Sequence, residues 1–142
     1  MCIRDRSYEY LIDNTFIDFN GHLNEQGYYH YAVKKLWEIS ETVSLVALFK
    51  ELKVGPLIFD TKLSFKKEVF EGQKIVVKCV AVKVTDSDKK FVRTIRIFKK
   101  EEMEMVAELK SNCAFMDLRS RKVTAPPLRL DRKFFLDFAE EV

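Results

Sequence analysis

The clearest signal along the chain is a switch in the spacing of its apolar residues. From Gln26 to about Lys50 they recur at helical intervals: Tyr28, Ala32, Leu36, Ile39, Val43 and Val46 form one stripe, and Tyr29, Val33, Trp37 and Leu48 a second. Charges gather on what remains, at Lys34, Lys35, Glu38 and Glu41. A helix apolar around most of its girth is expected to be wrapped by other structure rather than to rest on a surface. Val54-Gly55-Pro56 is expected to end it, and from Leu57 the period becomes two, with Phe59, Leu63 and Phe65 facing one way and Asp60, Lys62, Ser64 and Lys66 the other. After a turn at Glu71-Gly72, a strand runs from Lys74 to Thr85, and the polar stretch Asp86-Ser87-Asp88 closes it. Phe91 to Lys99 reads as the next strand and Met103 to Asp117 as the last, with Lys100-Glu101-Glu102 between them. The last alternates through Met103, Met105, Ala107, Leu109, Ser111, Cys113 and Phe115. Long strands joined by short turns predict an antiparallel meander. Ahead of the helix, Tyr8 to Asp18 reads as a strand with an irregularity at Asp13-Asn14.

Composition narrows the class. A chain of 142 residues, 47% hydrophobic and carrying 12 Phe, is expected to be one domain with a substantial core. Its net charge of +3 is mild, and its lysines fall in scattered doublets (Lys34-Lys35, Lys66-Lys67, Lys89-Lys90, Lys99-Lys100) rather than in a basic block, which argues against nucleic acid. There is no apolar run long enough to cross a bilayer and no signal-peptide pattern, so no membrane association is expected. Cys2, Cys79 and Cys113 are an odd set, the last two inside apolar strand patterns, which predicts free thiols and a reducing, cytoplasmic setting. Residues 1–7 have no period and are set aside as an unstructured leader, residues 8–127 as the domain, and 128–142 as an extension after Pro126-Pro127 with a short helix from Phe134 to Glu141.

Candidate chemistry concentrates in Phe16-Ile-Asp-Phe-Asn-Gly-His-Leu-Asn-Glu25, between the first strand and the helix. It places a carboxylate (Asp18), a tight turn (Asn20-Gly21), a histidine (His22) and a helix cap (Asn24) within a few residues. A carboxylate held beside the free N–H groups of a helix N-terminus can serve acyl chemistry, as a base or nucleophile next to an oxyanion site. The same residues also suffice for a plain strand-to-helix turn. Two histidines without cysteine or acidic partners at ligand spacing predict no metal.

The order strand, long helix, four strands predicts an α+β chain (β-α-β-β-β-β), a sheet of about five strands curled around one central helix, the architecture called the hotdog fold. Asp18-Phe-Asn-Gly-His-Leu-Asn24 resembles the Asp-x-x-Gly-His-Val-Asn signature of hotdog acyl-CoA thioesterases related to 4-hydroxybenzoyl-CoA thioesterase. With Tyr28-Tyr29 after it, the segment is closer to betainyl-CoA thioesterases and the thioesterase domains attached to carnitine dehydrogenases. Asp60-Thr-Lys-Leu-Ser-Phe-Lys-Lys-Glu-Val-Phe-Glu-Gly72 and Phe115-Met-Asp-Leu-Arg-Ser-Arg-Lys122 resemble that branch further, and the likeness covers roughly Tyr8 to Pro127. Phe16 stands where many relatives carry a first acidic residue, Asp60 where Glu is usual, and Lys62 where His is frequent.

The resemblance implies an acyl-CoA thioesterase acting on a small or medium acyl group, with Asp18 attacking the thioester carbonyl or activating the water that does. Backbone N–H groups near Glu25 and Gln26 would hold the oxyanion, and Gly27 would let the substrate approach closely. His22 would orient Asp18 or a water, or shape the turn; Asn20 and Gly21 would form the turn; Asn24 would cap the helix or touch the substrate. Asp60 would face a pocket between subunits or solvent, and Lys66 and Lys67 would meet CoA phosphates. No cofactor beyond the CoA of the substrate is implied, and the family pattern implies a homodimer or homotetramer. Two other readings are a hotdog enoyl-CoA hydratase, whose Asp-x-Asn-Pro-x-His pattern Asp18-x-Asn20-Gly21-His22 approaches with one residue fewer, and a non-catalytic acyl-CoA-binding domain.

Overall fold

A computed structural model describes residues 8–42, 45–84, 89–132 and 134, with side chains for all of these except 35–37 and 39–42. The leader 1–7 with Cys2, the stripe position Val43, the side chains of Leu36, Trp37 and Ile39, the turn Asp86-Ser87-Asp88 and the terminal helix beyond Phe134 lie outside what is described. In chain order the elements are β1 (Tyr8–Leu11), α1 (Glu25–Thr42), α2 (Leu45–Leu52), β2 (Val54–Phe65), β3 (Lys74–Lys83), β4 (Lys90–Lys99), β5 (Glu104–Asp117), β6 (Val123–Thr124) and α3 (Leu128–Arg132). The strands form one antiparallel sheet in the order β1-β3-β4-β5-β2, with β6 joined to β5 beyond the point where β4 ends. Helix α1 lies against β3, β4 and β5. This is the α+β hotdog arrangement, with six strands rather than about five.

The core is the layer between α1 and the sheet. Tyr28, Tyr31 and Ala32 of α1 are buried, as are Ile75, Val77 and Cys79 of β3, Ile95 and Ile97 of β4, and Ala107, Leu109, Cys113 and Phe115 of β5. The period-two face expected for β5 is buried from Ala107 to Phe115, while Met103 lies outside the strand and is exposed.

Four expectations are corrected. The single helix to Lys50 is two helices, α1 and α2, with residues 43–44 outside the described set. Over its first turns helix α1 is not covered all round in the protomer, since Tyr29 and His30 are exposed. Gly55 and Pro56 do not separate helix from strand: both lie inside β2, paired with Met116 and Phe115. A proline has no N–H to give a ladder, and it is tolerated here because β2 is the edge strand of the sheet. The first strand stops at Leu11, because Asp13 Oδ1 accepts the Thr15 N–H (2.9 Å) and turns the chain. That hydrogen bond, more than any other cause, holds the Asp13 carboxyl below its ordinary range.

The packed fold also runs past Pro126-Pro127. Leu130 of α3 and Phe134 are buried, and the Phe134 ring meets those of Phe91 and Phe115 at centroid distances of 5.0 and 5.3 Å. Among the described residues no helix is long and apolar enough to cross a membrane.

Candidate active site

Asp18 sits in a turn built almost wholly from its own neighbours. Its Oδ1 accepts the Asn20 N–H (2.9 Å), its carbonyl oxygen accepts the Gly21 N–H (3.0 Å), and its N–H donates to the His22 carbonyl (3.0 Å). Gly21 takes φ 82°, a left-handed conformation that costs glycine little and side-chain-bearing residues more. Asn24 then caps α1. Its Oδ1 accepts the Gly27 N–H (2.9 Å), and its carbonyl oxygen accepts those of Gly27 (3.0 Å) and Tyr28 (3.3 Å). The N–H groups of Glu25 and Gln26 have no acceptor among the described residues, as expected for the first turn of a helix.

A distant segment is pinned beside this turn. The Leu23 N–H donates to the Val69 carbonyl (2.7 Å), His22 bridges to Phe70, and the Tyr28 hydroxyl donates to the Lys67 carbonyl (3.0 Å). Burial pushes the Tyr28 phenol upward, so its proton stays in place to make that bond. These contacts bring Lys66, Lys67 and Glu68 to the N-terminus of α1. The result is a cavity of about 490 Å³ lined by Asp18, His22, Asn24, Glu25, Tyr28 and residues 65–68.

Within it His22 stands between two carboxylates. Its Nδ1 is 3.7 Å from Asp18 Oδ2 and its Nε2 is 3.8 Å from Glu68 Oε1. Both distances exceed a hydrogen bond. Nδ1 is 3.3 Å from the Leu23 carbonyl oxygen, which can only accept, so that bond requires the proton on Nδ1. The Asp18 side chain is 24% exposed, within reach of a ligand in the cavity without facing bulk water.

Asp18, His22, Asn24, Glu25, Lys66 and Lys67, all expected from the sequence, therefore share one cavity. Asn20 and Gly21 shape the turn from its exposed side, and Gln26 is exposed and outside the lining. Asp60 lies elsewhere, on β2, where its Oδ1 accepts from Asn112 Nδ2 (2.7 Å). Gly27 is a correction: it is buried, its N–H is already bonded to Asn24, and a Cβ there would come within 2.4 Å of Leu23 Cδ1 and 2.8 Å of Phe16 Cβ. Its missing side chain makes room for the turn, not for a ligand. Glu68 was missed. Nothing in the local sequence joins it to His22; the Leu23–Val69, His22–Phe70 and Tyr28–Lys67 contacts do so.

A second cavity of about 360 Å³ opens farther along the same helix, between α1, α2 and the beginning of β2. It is lined by apolar residues such as Tyr29, Val33, Phe49, Ile58 and Phe134, together with Arg93 and Cys113. Burial pushes the Cys113 thiol upward and keeps it protonated.

Comparison with known proteins adds the family. A profile of the Thioesterase-like superfamily matches residues 14–134. A search of curated protein sequences finds no match. Among solved structures the chain is similar to a 1,4-dihydroxy-2-naphthoyl-CoA thioesterase from Synechocystis (13% identity, 93% of this chain and 96% of that one, TM-score 0.76). It is similar to a probable thioesterase from Escherichia coli (13% identity, 90% and 95%, TM-score 0.80). It also resembles a Staphylococcus aureus hypothetical protein whose structure is a complex with CoA (11% identity, 96% and 86%, TM-score 0.78). At these identities the structural likeness bears on the fold.

Proposed function

Because the chain belongs to the Thioesterase-like superfamily and is a thioester hydrolase by that membership, we propose that it hydrolyses a small or medium acyl-CoA at the Asp18 cavity. The observation that carries this reading is the shared opening of the Asp18 carboxylate and the first turn of α1 into one cavity. Asp18 either attacks the thioester carbonyl carbon or removes a proton from the water that attacks it. The oxygen of the tetrahedral intermediate accepts from the backbone N–H of Glu25, which borders the cavity. It also accepts from that of Gln26 in the same first turn, whose side chain stays outside, aided by the positive end of the helix. Collapse of the intermediate breaks the C–S bond. On the water route the free acid forms directly, and the proton taken by Asp18 passes to the departing thiolate. On the nucleophilic route an acyl-Asp18 anhydride is left, which water then hydrolyses to the acid, its proton going to the thiolate. His22, flanked by Asp18 and Glu68, supports the carboxylate or the water. Lys66 is exposed at the cavity and free to meet the CoA phosphates; Lys67 is partly engaged with Glu104 at 3.8 Å. CoA enters as part of the substrate, with no further cofactor in the scheme.

The same reading includes assembly as a homodimer or homotetramer. Strand β2 is a 12-residue sheet edge with Ile58, Phe59 and Phe65 each nearly half exposed, a template for pairing with a second copy. The buried thiols Cys79 and Cys113, neither of them in a disulfide, fit a reducing compartment such as the cytoplasm.

The test is thiol release from a panel of acyl-CoA thioesters (short, branched, aromatic, betainyl) by the wild type and by Asp18→Asn, with light scattering for assembly. Release abolished by the substitution in a folded protein supports the proposal. Binding without release from any member would replace it with a non-catalytic acyl-CoA-binding domain, and loss of enoyl absorbance without release would point to a hydratase.

A further inference from the structure

Among the described residues, Arg93 is the one charged side chain in the core, and the scheme above leaves it without a task. It sits on β4, facing the helix, and is only 8% exposed. Its Nη2 donates to Ser111 Oγ (3.1 Å), and Ser111 in turn lies 2.8 Å from Thr61 Oγ1, so a polar row crosses from β4 through β5 to β2. Since guanidinium only donates, the Ser111 hydroxyl accepts from it, and either hydroxyl can donate in the Ser111–Thr61 contact. Arg93 Nε has no hydrogen-bond partner, and no carboxylate pairs with the guanidinium among the described residues. Asp60, next to Thr61 on β2, is held by Asn112 instead.

A buried cation without a counter-charge is costly, and this one lines a mostly apolar cavity whose other charged residue, the exposed Lys50, carries the same sign. That cavity and the Asp18 cavity both border α1 and β2. Glu25 and Tyr28 of α1 border the first, Tyr29 and Val33 the second, and β2 borders both, with Phe65 at one end and Ile58 at the other. Thr61, level with Arg93 across the sheet, is four residues from Phe65, about 13 Å at the rise of a strand. An acyl chain whose carbonyl is held at the start of α1 would run between α1 and β2 toward the guanidinium.

We propose that Arg93 is a specificity-determining residue whose partner is the far end of the substrate, and that the preferred substrates are medium-chain acyl-CoA thioesters ending in a carboxylate. The methylene chain fills the apolar lining, and the terminal carboxylate meets Nε and the remaining guanidinium donors in a two-point contact. A cationic acyl group such as betainyl is disfavoured by the same charge. The inference rests on the thioesterase reading for its substrate class, while the carboxylate-binding cavity stands on its own geometry.

The experiment compares matched pairs, hexanoyl-CoA with adipyl-CoA and octanoyl-CoA with suberyl-CoA, plus betainyl-CoA, for the wild type, Arg93→Met and Arg93→Lys. Expected is a preference in kcat/KM of about 100-fold for the carboxylate member of a pair. The preference disappears in Arg93→Met and falls about ten-fold in Arg93→Lys, which keeps the charge but not the fork. Equal rates within each pair, a preference that survives both substitutions, or betainyl-CoA as the best substrate would overturn the proposal. If no thioester is cleaved, the hydrolase scheme fails separately, and calorimetric binding of the same pairs decides the cavity. Tighter binding of the carboxylate members, lost in Arg93→Met or weakened in Arg93→Lys, upholds it, and equal binding overturns it.

Discussion

The two cavities beside α1 are made in opposite ways. The one at its N-terminus is a matter of backbone: an Asx turn at Asp18, a left-handed glycine, a cap at Asn24, and N–H groups that helix geometry leaves free. The one farther along is a matter of side chains from two helices, three strands and the C-terminal segment, meeting around a guanidinium whose Nε has no hydrogen-bond partner. The first suits chemistry common to every thioester, because what it presents does not depend on the acyl group. The second suits discrimination, because an unpaired buried donor rewards a matching ligand and penalises all others.

The largest effect that separates them is Asp18→Asn. It is expected to lower kcat by about 10³-fold on every substrate alike, with far-UV dichroism unchanged. A loss confined to carboxylate-ended substrates would break the division between a reacting end and a selecting end.

Next comes Gly27→Ala. Its Cβ would press on Leu23 and Phe16, so a destabilisation of about 2 kcal/mol is expected in urea titration. If the variant is as stable as the wild type but loses activity, Gly27 faces the substrate after all. Asn24→Ala is expected to cost about 1 kcal/mol, since it removes the side-chain acceptor of the Gly27 N–H, leaving only the residue-24 carbonyl, and loosens the first turn that holds the oxyanion donors. An unchanged denaturation midpoint would remove the cap from the account of the site.

The smallest effect concerns a second Asx-type turn, at Asp117, and tests whether such turns act through their ionised carboxylate. Asp117 Oδ1 accepts the N–H groups of Ser120 (2.9 Å) and Arg119 (2.8 Å), which hold its carboxyl below the ordinary range. A folded-state pKa below the unfolded one adds stability above the unfolded value, and that stability is lost as pH falls through the folded value. The stability gap between wild type and Asp117→Asn should therefore be full at neutral pH and close in acid. A gap independent of pH would assign the turn to backbone conformation alone.

Legibility followed the same division. The switch from helical to alternating period announced a helix followed by antiparallel strands, because burying one face imposes its own spacing on each element. It did not reveal that α1 and α2 are separate, since both keep helical spacing, nor that Pro56 sits in a strand, since that depends on β2 being an edge. Asp18, His22 and Asn24 were visible because their contacts span four residues or fewer. Glu68 and Arg93 were not.

The sequence by itself determined the turn that presents Asp18, the cap of α1 and the alternation of β5, all set by short-range hydrogen bonds, glycine's access to positive φ and the two periods of regular structure. The tertiary structure decided what stands across from them. It placed Glu68 beside His22, gave Gly27 its packing role, and enclosed Arg93 among apolar side chains opposite Ser111. Those outcomes depend on strand order and register, in which residues far apart in the chain become neighbours through hydrogen bonds that no local pattern specifies.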